Sequence, residues 1–202
     1  MFEDYPRHDR HAPPVASRHV QRAGRLPSMP MIELPPGVDR IDTAIDRWWE
    51  RLRGHAALDR LYYGASEAAD FSLLWHTLGV VQAIIEDDPM IAVTLSGALG
   101  IESALVNGPV KSLFGRHRPV HEGPRPHQLR RPRTSSFPSG HASAAMVAAA
   151  LLSRHAGGTA WYGLAAIVAT SRIHVRIHHA SDVVGGVAVG AVLGAVARRV
   201  LS

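Results

Sequence analysis

A short stretch near the C-terminus holds a histidine and an aspartate at a spacing that suits nucleophilic chemistry. His178 and Asp182 lie four residues apart in SRIHVRIHHASD, so on a helix they would share one face. A carboxylate bonded to one ring nitrogen fixes the tautomer and leaves the other nitrogen to attack. Arg172 is near enough to hold the anion under attack. The pair could also be a metal site or a surface pair, but neighbouring cations repel metal ions and favour phosphoryl chemistry.

The sequence PSGH, Pro138 to His141, marks the start of a helix whose remainder is rich in alanine. Ser139 is a good N-cap, and Gly140 lets another group approach the backbone closely. The unpaired N–H groups and the dipole of a helix N-terminus favour an anion, to which His141 could donate a proton. For this stretch alone, an ordinary capped helix with an incidental histidine is the competing interpretation.

Three cationic residues from separate segments, Lys111, Arg118 and Arg172, complete the candidate site. Arginine presents a planar fork that matches two phosphate oxygens, and lysine adds a point charge. Together they suit a dianion, although any one of them alone could be a solvated side chain. Helices that alternate in direction would bring these cations to the same end of the bundle as the two histidines and the aspartate.

The elements that must position these residues are helices, because the apolar pattern has a helical period and no strand-like alternation of useful length. Five uncharged runs follow residue 70, namely 71–85, 89–101, 139–153, 155–171 and 183–197. None reaches the roughly 20 apolar residues of a simple spanning helix. Their alanine, glycine and serine content suits close packing in lipid or in a tight soluble bundle. We predict an all-α bundle of about five membrane-embedded helices.

The N-terminal part of the chain has a different composition. Residues 1–37 contain half of the prolines, mixed with arginine and histidine, and no apolar run, so we predict a disordered tail. Ile41, Ile45, Trp48, Trp49 and Leu52 follow at helical spacing. They predict an amphipathic helix that lies at a membrane interface or packs on a soluble core. The folded domain is expected to cover residues 38–202, with the site motifs in 111–182.

The net charge of +5 is unevenly distributed. Residues 64–110 carry six acidic residues and no lysine or arginine, whereas residues 115–137 carry six arginines and one acidic residue. A local basic patch attracts phosphates, lipid headgroups or nucleic acid. The chain has no cysteine, which excludes disulfides and thiolate metal sites.

Three motifs of the chain resemble the signature motifs of the type 2 phosphatidic acid phosphatase family, which belongs to one superfamily with the vanadium haloperoxidases. They are KSLFGRHRP (111–119), PSGH (138–141) and SRIHVRIHHASD (171–182), complete and in order, within a similar region of about 70–200. The resemblance implies a membrane-bound bacterial phosphatase that forms a phosphohistidine. By this analogy His178 attacks phosphorus, Asp182 orients it, and His141 protonates the leaving oxygen and then activates water.

The resemblance also implies a set of phosphate-binding residues: Lys111, Arg118, Ser139, Gly140 and Arg172. We expect a multi-pass protein of the cell membrane that acts on a lipid or polyprenyl phosphate or diphosphate. No metal, no cofactor and no nucleic-acid partner is expected, and vanadate would bind as a phosphate analogue.

Two other classes of function stay open at this stage. One is a soluble acid phosphatase or a vanadate-dependent haloperoxidase of the same superfamily, in which vanadate would be the cofactor. The other is a non-enzymatic basic membrane protein whose arginines bind nucleic acid or acidic partners. The second class leaves the arrangement of the histidines and the aspartate unexplained. The substrate, the oligomeric state and the side of the membrane that the site faces are not readable from the motifs.

Overall fold

The computed structural model describes residues 31–120, 126–127 and 129–201, and this part of the chain forms a bundle of helices. Its seven α-helices are α1 Val38–Trp49, α2 Ala56–Ala68, α3 Leu73–Ile85, α4 Pro89–Leu105, α5 Gly140–Leu152, α6 Ala160–His174 and α7 Ala180–Val200. A 3-10 turn, Asp70–Ser72, precedes α3, and a π-helical turn, Val106–Val110, follows α4. The described residues form no strand, only an isolated bridge between Ile32 and Phe114. The predicted all-α class is confirmed.

Helix α5 is the centre of the bundle. Ten of its 13 residues are buried, and it packs against α4, α6 and α7. Its many alanines leave little side chain between the helix axes, so the neighbouring helices approach closely. The N-terminus of α5, which begins with Gly140, is therefore surrounded by other helix ends.

Helix α7 packs on α5 through three glycines spaced four residues apart. A Cβ atom built at Gly186 would lie 2.3 Å from the carbonyl oxygen of Ser139, and one at Gly190 would lie 2.3 Å from that of Ser143. Gly194 meets the side chain of Ala150 in the same way. The large side chains of α7 are exposed elsewhere on the helix, at Val184, Val192, Val196 and Val200. Small residues towards a partner helix and apolar residues outward are typical of helices packed in lipid.

Two helical segments of the described residues, Pro89–Val110 and Ala180–Val200, are long and apolar enough to cross a membrane. A third crossing results if α2 and α3, which are bent by 65° at the 3-10 turn, act as one broken span. Helices α5 and α6 have 13 and 15 residues. They are therefore about 20 Å long, less than the ~30 Å hydrocarbon core of a bilayer. The five predicted apolar runs thus correspond to α3–α7, and length alone permits two or three crossings.

The amphipathic helix predicted from residues 41–52 corresponds to α1, and a second short helix, α2, follows it. Ile45 and Trp49 of α1 pack against the apolar cluster formed by α5, α6 and α7, whereas Ile41 and Trp48 are exposed. Helix α2 packs against α6. The apolar face of α1 therefore contacts the bundle with part of its residues and leaves the rest at the surface.

His174, at the end of α6, joins these two helices to the bundle. Nδ1 of its buried ring accepts a hydrogen bond from Nε1 of Trp49 over 3.1 Å. Its Nε2 donates a hydrogen bond to Oδ1 of Asp59 over 2.8 Å. The ring also stacks on Tyr62, with the ring centres 4.6 Å apart. This histidine of the third motif thus has a connecting position between α1, α2 and α6.

The predicted disordered tail, residues 1–37, lies mostly outside the described residues, which begin at residue 31. At the end of this segment the backbone N–H of Ile32 donates to the carbonyl oxygen of Leu113 over 2.8 Å. The side chain of Met31 lies against Gly115. Residues 31 and 32 therefore contact residues 113 and 115, where the basic segment 115–137 begins.

Candidate active site

A cavity of about 480 Å³ opens at the end of the bundle where α4 ends and α5 begins. Five of the eight predicted site residues line it: Lys111, Gly140, His141, Arg172 and His178. The other three, Arg118, Ser139 and Asp182, contact these residues from behind the cavity wall. The structure thus brings together residues from the three motifs 111–119, 138–141 and 171–182, as expected from helices that alternate in direction.

His178 is 3% exposed and lies in the turn between α6 and α7. The prediction that His178 and Asp182 share a helix face is wrong, because α7 begins at Ala180 and His179 is its N-cap. The two side chains still meet, with Nδ1 of His178 3.5 Å from Oδ2 of Asp182. The reason is the cap: the carboxylate of Asp182 accepts the backbone N–H of His179 over 2.9 Å and so turns back towards the preceding residue.

The hydrogen bonds of His178 define its tautomer. Nη1 of Arg118 lies 3.1 Å from Nε2 of His178, and a guanidinium only donates, so Nε2 is the acceptor and Nδ1 carries the proton. The proton on Nδ1 then faces Asp182. Burial lowers the pKa of His178 to about 3, so the ring is neutral near pH 7. A neutral ring with a lone pair on Nε2 is the state that a nucleophilic histidine requires.

The carboxylate of Asp182 is held by two residues that the sequence did not single out. Ser136 donates to Oδ2 over 2.5 Å, and Nη1 of Arg116 donates to Oδ1 over 2.7 Å. Nη2 of Arg116 reaches on to the buried carboxylate of Asp42 in α1 over 2.6 Å. Asp42 also accepts hydrogen bonds from the backbone and hydroxyl of Ser181. A chain of charged groups thus links α1 to the carboxylate beside His178.

Arg172 is almost completely buried, with 1% of its surface exposed, and it lines the cavity. Its Nη1 donates to the hydroxyl of Ser66. Its Nε and Nη2 atoms have no hydrogen-bond partner among the described residues. A buried donor without a partner costs roughly 1–3 kcal/mol. The position of these two N–H groups therefore indicates a site for an anion.

Lys111 is also buried, and Asn107 orients it. Its Nζ donates to Oδ1 of Asn107 over 2.9 Å. Asn107 belongs to the π-helical turn after α4, a type of turn frequent at functional sites. A Cβ atom at Gly140 would lie 3.0 Å from the same Oδ1, so the glycine allows this close approach. Burial, and then the nearby charge of Arg118, lower the pKa of Lys111 to about 8.

His141 has a carboxylate partner from a distant part of the chain. Its Nε2 lies 3.0 Å from Oδ1 of Asp70, which can only accept, so Nε2 carries a proton and Nδ1 is the atom left for proton exchange. Asp70 lies at the break between α2 and α3, where Phe71 and Ser72 have φ values of 54° and 58°. This left-handed backbone breaks the helical path beside the cavity.

Ser139 is fully buried, and the prediction that it caps α5 is confirmed. Its side chain accepts from the backbone N–H of Ala142 over 3.5 Å. Its own backbone N–H donates to the carbonyl oxygen of Asp182 over 2.9 Å. The N-termini of α5 and α7 are therefore bonded to each other directly behind the cavity.

Comparison with known proteins identifies the family of the chain. Residues 91–202 match the family model of the PAP2 superfamily. Over 133 residues the chain is 32% identical to decaprenylphosphoryl-5-phosphoribose phosphatase of Mycobacterium tuberculosis, in strains CDC 1551 / Oshkosh and ATCC 25618 / H37Rv. This match spans 66% of the chain and 75% of the relative.

The fold is similar to the crystal structure of a transmembrane PAP2 type phosphatidylglycerolphosphate phosphatase from Bacillus subtilis. The TM-score is 0.61 at 24% identity, and the match covers 82% of this chain and 87% of that one. The chain belongs to the PAP2 superfamily. With its long apolar helices, it is a membrane-associated phosphatase.

Proposed function

We propose that this chain is a multi-pass phosphatase of the cell membrane that removes the terminal phosphate of a polyprenyl or other lipid phosphate through a phosphohistidine. The observation that carries the proposal is the pair of buried, unpaired N–H groups of Arg172 in a cavity that His141 and His178 also line. The name of the M. tuberculosis relative gives a decaprenylphosphoryl sugar phosphate as its substrate, and this supports a polyprenyl substrate here.

In the first step, Nε2 of His178 attacks phosphorus and forms an N–P bond while the ester P–O bond breaks. The electron pair of that bond goes to the leaving oxygen, which takes a proton from Nδ1 of His141. Burial lowers the pKa of His141 to about 4 in the free protein, so the negative charge of the bound phosphate has to favour the protonated ring before this transfer. Asp182 holds the proton on Nδ1 and stabilises the positive charge that develops on the ring. The phosphate oxygens are bound by three cations: Lys111, Arg118 and Arg172.

In the second step, water attacks the phosphohistidine. His141, now neutral, takes a proton from the water as the N–P bond breaks, and inorganic phosphate leaves. The electron pair returns to Nε2, so His178 regains the neutral form that its burial favours. No metal or cofactor takes part in either step, and orthovanadate is expected to inhibit by occupying the phosphate position.

The remaining lining of the cavity supports a lipid rather than a soluble ester. Besides the charged groups, the wall contains apolar side chains from the end of α2 and from α4 and α5, and the exposed ring at the helix break: Ala69, Leu99, Ala144 and Phe71. Helix α4 is one of the two segments long enough to span a membrane. A phosphate bound in the cavity therefore lies next to an apolar surface that can contact the first groups of a lipid tail.

The test is phosphate release by the detergent-purified protein from decaprenylphosphoryl-5-phosphoribose, phosphatidylglycerol phosphate and phosphatidic acid. His178→Ala is expected to abolish turnover and to prevent the formation of a labelled phosphoenzyme that survives alkali and is lost in acid. His117→Ala serves as the control, because His117 is exposed and does not line the cavity. Unchanged turnover in His178→Ala would refute the mechanism.

A further inference from the structure

We propose that Arg130 forms a second anion subsite at the exposed side of the cavity, for an acidic group next to the phosphate that is removed. This inference rests on the proposed function and deepens it. It assigns the substrate to lipids that carry two anionic groups, such as a terminal phosphomonoester and a phosphodiester.

The position of Arg130 is the first argument. It is exposed, and it lines the same cavity as His141, Arg172 and His178. Its guanidinium lies over the ring of Phe71, 4.5 Å from the ring centre. A stacked guanidinium uses its face for the ring and keeps its N–H donors in the plane for an oxyanion.

The bonding of Arg130 is the second argument. Its guanidinium makes no hydrogen bond and no ion pair with any residue of the described chain. It interacts electrostatically with Asp70 and with the buried Arg172. The carboxylate of Asp70 is already hydrogen-bonded to His141. One shared carboxylate does not balance the charges of Arg130 and Arg172, so this place favours an additional anion.

The number of cations is the third argument. Lys111, Arg118 and Arg172 are the three cations proposed to bind the phosphate, and they suffice for the dianion under attack. Arg130 is a fourth cation that lines the same cavity, and its guanidinium lies over the ring of Phe71. The volume of about 480 Å³ holds much more than one phosphate group. The cavity therefore has both the charge and the space for a second acidic group.

The experiment measures selectivity between two lipids with the same diacylglycerol tail in the same mixed micelles. Phosphatidylglycerol phosphate carries a monoester and a diester phosphate, whereas phosphatidic acid carries only the phosphate that is removed. We expect Arg130→Gln to lower the ratio of the two kcat/KM values about tenfold, the effect of losing one charge-assisted hydrogen bond. Arg130→Lys keeps the charge and should lower the ratio less.

Arg133→Gln is the matched control, since Arg133 is an exposed arginine of the same loop that lines a neighbouring groove and not this cavity. It should leave the ratio unchanged. A second measurement does not depend on turnover: calorimetric binding of methylenediphosphonate relative to methylphosphonate should weaken about tenfold in Arg130→Gln.

The subsite would be overturned if Arg130→Gln left the ratio of the two kcat/KM values unchanged, which includes an equal loss on both lipids, and also left the relative binding of the diphosphonate unchanged. That result is distinguishable from failure of the proposed function, which would appear as phosphate release that persists in His178→Ala. Both variants at Arg130 are exposed substitutions, so a folded protein is available for each measurement.

Discussion

Nη1 of Arg118 donates a hydrogen bond to Nε2 of His178 over 3.1 Å, so a proposed phosphate-binding cation directly contacts the proposed nucleophile. The same Nη1 donates to the carbonyl oxygen of Ile177, and Nη2 reaches those of Thr134 and Ser135. These backbone contacts fix the guanidinium beside the ring. When phosphate binds, its oxygens can replace Nε2 as the acceptor, which releases the lone pair for attack.

Arg118→Lys tests this exchange. Lysine keeps the positive charge but lacks the planar guanidinium, which donates at the same time to backbone carbonyl oxygens and to the ring of His178. We expect kcat to fall about 100-fold, within the range for losing one donor that stabilises transition-state charge. Steady-state phosphate release gives kcat and KM separately. A variant with full kcat and a raised KM would show that Arg118 only binds substrate.

The rate should depend on the charge of Lys111 at alkaline pH. Because burial lowers the pKa of Lys111 to about 8, the free enzyme loses this cation as the pH rises through 8, well before an exposed lysine would. We therefore expect kcat/KM to fall above about pH 8. Lys111→Arg should move this alkaline limb to higher pH, since arginine stays charged. An unmoved limb in Lys111→Arg would assign the titration to another group.

Asp70→Asn should impair proton transfer without impairing phosphate binding. The amide can still contact His141 but no longer stabilises its protonated form by charge. We expect kcat to fall about tenfold, less than the 10²–10⁴-fold that general acid–base catalysis contributes, and KM to change little. A leaving group of low pKa, such as p-nitrophenol, needs less protonation and should restore most of the rate. Equal losses on good and poor leaving groups would indicate a purely structural role.

Asp42→Asn tests the connection from α1 to Asp182. Asp42 is 3% exposed and bonds Arg116, so its loss leaves a charge partly unpaired in the protein and should destabilise it by about 3–5 kcal/mol. Asp39→Asn is a matched control, because Asp39 bonds the same guanidinium over 3.1 Å but its side chain is 82% exposed. Its loss should cost at most about 1 kcal/mol. Denaturant unfolding in detergent compares the two, and similar values would refute the connection.

Gly190→Ala tests the contact between α5 and α7. The new methyl group would lie 2.3 Å from a backbone oxygen of Ser143, and the helices would have to separate. We expect a loss of about 1–3 kcal/mol in the free energy of unfolding. Gly163→Ala in α6 meets no atom within 4 Å and should instead stabilise the helix by roughly 0.5–1 kcal/mol. Thermal unfolding of both variants measures the difference.

The sequence predicted the parts of the site that occur in short motifs. Spacing within PSGH was enough to place the cap at Ser139, because the cap depends on neighbouring residues only. The four-residue spacing of His178 and Asp182 did not show how they meet, since the cap at His179, and not a shared helix face, brings the two side chains together, and histidine is a poor N-cap by sequence preference.

Other contacts of the site could not be predicted because they join distant positions. Asp70 and His141 are 71 residues apart, and Arg116 and Asp182 are 66 apart. Arg116 and Arg118 are both arginines of the basic segment 115–137, so residue type alone could not show their different roles. Arg116 bonds a carboxylate, whereas Arg118 contacts the proposed nucleophile. The packing of the helices and of the loop after α4 brings these residues together.

The bond between Ser181 and Asp42 spans 139 positions of the chain. It ties the first helix of the domain to the last, and the carboxylate beside His178 depends on both through Arg116. During synthesis the N-terminal helices emerge long before α7. The chain of charged groups from α1 to the carboxylate of Asp182 can therefore form only when α7, the last helix to be synthesised, packs on the bundle.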